Sequence, residues 1–104
     1  MAEASVNTTR TAGGEVVVVV RGEVDAASSG RLRQTLVDVA GHERPVRLVV
    51  DMGHVTFIDS TGLGALAAGR NAALGVGSGF VVRNPSPFVA HQLRVVGMYD
   101  QVAG

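Results

Sequence analysis

The sequence predicts an α/β single-domain fold, a mostly parallel sheet with an N-terminal edge strand and helices mainly on one face. Three observations carry this prediction. Short apolar runs rich in β-branched residues stand at 16–20 (VVVVV), 46–52 (VRLVVDM) and 80–83 (FVVR), as strands require. The stretches between them, residues 26–41 and 61–74, are long enough for helices, and the first carries apolar residues at helical spacing. Strands that alternate with helices pair in parallel through helical crossovers, and 104 residues suffice for one domain.

Taken in order, residues 1–14 are small and polar, a tail or one edge strand carried by the weak rhythm of Ala4, Val6 and Thr8 before the Gly13-Gly14 turn. The valine run from Val16 to Val20 reads as a central strand and implies cover on both faces. Its polar end, RGEVD, leads to the helix over 26–41, with Asp25 or Ser28 as cap and Leu32, Leu36, Val39 and Ala40 on the buried side. Pro45 stops that helix ahead of the strand over 46–52. Apolar chain at 55–58 then runs up to Asp59-Ser60. The helix over 61–74 contains Gly62, Gly64 and Gly69, each costing about 1 kcal/mol relative to alanine. Close approach to the sheet or to another protein is their expected reason.

Residues 75–79 (GVGSG) read as a flexible connection, 84–87 (NPSP) as a turn, and 88–96 as a helix closed by Gly97 at C′. Residues 98–103 offer room for a last short strand. If successive strands are neighbours, one hand of crossover puts every helix on the same face and leaves the other thinly covered.

Composition narrows the function. Nine Arg and no Lys balance nine Asp and Glu, so no net field exists to capture DNA or an acidic membrane. Cysteine is absent, which removes disulfide and thiolate chemistry. Without a bilayer-length apolar run or a secretion signal, a cytoplasmic location is expected.

In open α/β sheets the working edge lies beyond the carboxyl ends of the parallel strands, where residues 22–25, 51–60 and 84–87 should meet. The middle segment puts Ser60 at a helix start with apolar Phe57-Ile58 leading to it. N-capping is the simpler role for such a serine. Asp51, at a strand end, reads as structural. A hydrolase would pair Ser60 with His42, His54 or His91, but a nucleophile elbow needs glycine where Ile58 stands. The three histidines show no metal-ligand spacing, and GVGSG precedes a strand where a phosphate loop would follow one.

FIDSTGLGAL at 57–66 resembles the signature of the STAS domain of bacterial anti-anti-sigma factors, and RGEVD at 21–25 resembles the segment that ends the family's long strand. Together with the element order, the resemblance covers residues 15–100. It implies a non-enzymatic protein, without cofactor or metal, that binds an anti-sigma factor serine kinase and so frees a sigma factor. Phosphorylation of the acceptor, here Ser60, would break that complex, and a PP2C-type phosphatase would restore it. The docking surface carried over comprises Gly22, Glu23, Asp25, Asp59, Thr61, Gly62, Leu63 and Gly64. Thr61 stands where many relatives have a second serine. Relatives usually continue through a further helix, whereas this sequence stops at Gly104. The alternative within the same fold is a scaffold or lipid-transport accessory protein whose Ser60 is never phosphorylated.

Overall fold

A computed structural model describes residues 4–103. Strands β1 (Ser5–Arg10), β2 (Glu15–Val24), β3 (Arg47–Ile58) and β4 (Gly79–Arg83) form one sheet in the order β1-β2-β3-β4. The edge strand β1 is antiparallel to β2, and the other pairings are parallel. Helices α1 (Ser29–Glu43) and α2 (Ser60–Gly75) are the crossovers, followed by α3 (Pro87–Val95) and the single turn α4 (Tyr99–Val102). The predicted fold class, edge strand and parallel set are all present.

Val16, Val18 and Val20 of β2, Leu48 and Val50 of β3, and Phe80 and Val82 of β4 share one core with the buried residues of the helices. In α1 these are the expected Leu32, Leu36, Val39 and Ala40. The intervening valines, Val17, Val19 and Val81, are half-buried on the far face. Full cover on both faces, implied by an all-valine strand, is therefore not found, because every helix packs on the same side. Among the described residues of that far face, Val49 alone is completely covered. Glu15 is reached by Arg47 Nε at 3.5 Å and, from the other side of the Val49 strand, by Arg83 Nη2 at 3.6 Å. The aliphatic stem of Arg83 has to cross the Val49 row to make that contact, so a charged side chain supplies apolar cover.

β3 is longer than the run at 46–52 suggested. Register with β2 slips twice, first between Val19 and Arg21 and again between Gly22 and Glu23, leaving β3 two residues ahead. Beyond Asp51 the buried residues of β3 are Met52, Val55 and Ile58, three apart, where a regular strand buries every second residue. Each slip adds one residue to β3, so three apolar side chains stay on the core side while pairs of residues turn outward. Asp51 holds the first bulge by accepting the Gly53 N–H at Oδ1, 3.0 Å, which is the structural role expected of it. Gly22, with φ +93°, takes the left-handed conformation at the second.

Two connections differ from expectation. Residues 75–79 form a tight end to α2: Ser78 N–H donates to Ala73 O and Gly77 N–H to Leu74 O, with Gly77 at φ +81°. This is a Schellman closure, and the buried Ser78 hydroxyl fastens it to Pro45 O. Gly97 closes α3 in the same way, through Met98 N–H to Leu93 O and Gly97 N–H to Arg94 O. The final segment is the helical turn α4, and the strand expected there shrinks to a single parallel bridge between Ala103 and Val82. Val102 is buried in the core while Tyr99 packs under Arg94, whose guanidinium lies 4.1 Å from the ring centre.

Candidate functional site

The carboxyl ends of β2 and β3 lie side by side, Val24 paired with Ile58 and Asp59 N–H donating to Val24 O at 3.2 Å. Asp25 and Asp59 therefore leave neighbouring strand ends, and the two loops do meet. Asp25 Oδ1 accepts the Ala27 N–H at 3.0 Å, turning the chain into α1. The Ser28 hydroxyl accepts the Asp25 N–H at 3.1 Å and donates to Glu23 O at 3.0 Å. Ser28 occupies the cap position of α1 but makes no capping bond, since its side chain is spent on this loop.

The cap of α2 is Asp59. Its carboxylate accepts from Thr61 N–H at 2.9 Å, Gly62 N–H at 3.2 Å and the Thr61 hydroxyl at 2.5 Å. Donation by the Thr61 hydroxyl, opposed by desolvation and helped by these amides, holds the Asp59 carboxyl below the usual aspartate range. The simpler role of Ser60 as a cap is thereby overturned. Ser60 is the first residue of α2, it is exposed, and the amides it would have capped are already bonded to Asp59.

The carried-over docking residues separate into two groups. Ser60, Thr61 and Gly64 are exposed, and Glu23, Asp25 and Asp59 are half-exposed around them. Gly62 and Leu63 are buried, so they face the core beneath this surface. A Cβ on Gly62 would stand 2.6 Å from Ile58 Cγ1 and 2.8 Å from Val24 Cγ1, and one on Gly69 would stand 2.6 Å from Leu36 Cδ1. These two glycines let α2 approach the sheet and α1. Gly64 has open space where its Cβ would be, and sheet packing does not account for it.

The third segment, 84–87, reaches the edge by a different route. β4 stops at Arg83, opposite Asp51, while β3 continues. Ser86 fills the vacated side: its N–H donates to Met52 O at 3.3 Å and its hydroxyl to Val55 O at 2.6 Å. The same residue caps α3. Phe88 then packs on Phe57 with ring centres 5.5 Å apart, both rings more than a third exposed.

Sequence reasoning did not single out Phe88 or the groove of about 320 Å³ lined by Ser29, Gly30, Arg33, Thr61, Gly64 and Ala65. Phe88 stands one position off the buried stripe of Val89, Ala90 and Leu93, a signal that was available. The groove forms between two helices and exists only once they pack. Among the described residues no cluster of three metal-ligating side chains occurs, and no helix is long and apolar enough to cross a membrane.

Residues 7–103 match the family model described as Mlab, STAS domain. An anti-sigma factor antagonist from Mycobacterium paratuberculosis superposes with a TM-score of 0.82 at 29% identity, over 96% of this chain and 83% of that one. The anti-sigma factor antagonist SpoIIAA in its unphosphorylated form gives 0.82 at 18% identity, over 94% of this chain and 85% of that one. The murine anion transporter Slc26a9 gives 0.74 at 18% identity, over 98% of this chain and 19% of the transporter. With the fold, both motifs and the family match in agreement, the chain belongs to the STAS family.

Proposed function

We propose that this protein is an anti-sigma factor antagonist that binds an anti-sigma factor serine kinase in the cytoplasm, thereby releasing a sigma factor. Phosphorylation of Ser60 by that kinase switches it off and a PP2C-type phosphatase restores it. One observation carries the reading: the Ser60 hydroxyl is exposed at the start of α2 while Asp59 does the capping. The hydroxyl has no structural duty that a phosphate would disturb.

A phosphate there adds about −1.5 to −2 charges beside Asp25 and Asp59, on a surface that must lose water to dock. Burying such charge unpaired in the complex is costly, so release follows without any change of fold. Exposed Ser60, Thr61 and Gly64, with the Phe57–Phe88 pair nearby on the same sheet edge, offer the mix of apolar and polar groups that protein contacts use.

The test is incubation of the purified chain with ATP and each anti-sigma kinase of its source genome, followed by mass mapping. One phosphate on Ser60 is expected, none on Ser60→Ala, and tight kinase binding by Ser60→Ala against weak binding by Ser60→Glu. Absence of phosphate with every kinase, and equal binding by both variants, would favour the second reading. That reading is an unphosphorylated scaffold or lipid-transport accessory protein within the same fold.

A further inference from the structure

The groove between α1 and α2 contains one charged side chain, Arg33. Among the described residues Arg10, Arg47 and Arg83 are held in ion pairs and Arg94 lies over Tyr99; Arg33, like Arg21, Arg31, Arg44 and Arg70, forms no ion pair, and of these five it alone lines the groove. The first turn of α1 holds no acidic residue that would occupy it. Across the groove stand Thr61 and Gly64, which are the next residue after Ser60 and the residue one helical turn below it. Neither Gly30 nor Gly64 has a side chain to separate Arg33 from that position, and the space beside each is open.

We infer that this groove is a receptor for a phosphate monoester on Ser60, with Arg33 as the cation that pairs with it. The inference rests on the phosphorylation proposed above and adds the group that reads it. An arginine fork is suited to two phosphate oxygens at once. The groups that act against it are Asp59, whose charge is shared among the Thr61 hydroxyl and two amides, Glu23 near the end of β2 and Asp25 just beyond it. Arg31, also on α1 and exposed, is outside the groove lining and serves as the control.

The experiment installs phosphoserine at position 60 during synthesis, so it does not depend on any kinase accepting the protein. The second ionisation of the phosphate is then followed by ³¹P NMR in the otherwise unchanged chain, in Arg33→Gln and in Arg31→Gln. Loss of Arg33 is expected to raise that ionisation by about half a pH unit, the size a solvent-exposed ion pair produces, and 1 M salt is expected to erase the difference. Arg31→Gln is expected to titrate like the parent. Coincident titrations of the parent and Arg33→Gln, or a rise in Arg31→Gln alone, would overturn the assignment. A kinase screen without phosphate on Ser60 would remove the proposed switch but leave this titration unaffected, so the two failures are separable.

Discussion

The inner and outer faces of α2 use glycine for opposite ends. On the inner face Gly62 and Gly69 are contact points where even one methyl would strike Ile58, Val24 or Leu36. On the outer face Gly64 borders open space and a groove. All three weaken the helix intrinsically, but only two recover that loss through packing. A glycine whose cost the fold does not offset is a reasonable marker of a surface kept clear for something else.

Substitutions can sharpen or break this contrast. The largest effect is expected from Gly62→Ala, where a 2.6 Å approach to Ile58 Cγ1 and 2.8 Å to Val24 Cγ1 leaves no room. Overpacking of this kind costs roughly 1–3 kcal/mol, readable as a lowered urea midpoint. Unchanged stability would mean that the strand ends yield easily. Next is Asp59→Ala, which removes the cap and should cost about 1 kcal/mol at pH 7. Because folding depresses the Asp59 pKa, its contribution is complete above the unfolded value of about 3.9 and fades as pH falls through the lower folded value. The gap between parent and variant in urea melts should therefore close under acid and stay constant from pH 5 to 8. The smallest effect belongs to Gly64→Ala, expected to stabilise the chain by up to about 1 kcal/mol through helix propensity alone. If the outer face docks a partner, the same variant should bind the kinase less well despite its greater stability.

Much of the fold was legible because its signals are local and periodic. The β-branched runs placed three strands, and Leu32, Leu36, Val39 and Ala40 marked the buried side of α1. The far half of β3 was harder to read, since Met52, Val55 and Ile58 follow neither a strand period nor a full helical face. Two bulges produce that spacing, and bulges depend on the partner strand. Residues 99–102 make too short an element for any period to show. At the site, the motif residues located the sheet edge correctly, yet motif matching cannot distinguish an outward Thr61 from an inward Leu63. Arg33 was invisible because its relevance comes from a second helix packed across from it.

Ser86 has a consequence for solubility. Where β4 ends, the outer rim of β3 would expose free carbonyls, a template on which another molecule's strand can grow. The amide and hydroxyl of this one residue occupy Met52 O and Val55 O, and α3 begins immediately after it. The rim that adjoins the proposed docking surface is thus closed to strand pairing at these two carbonyls.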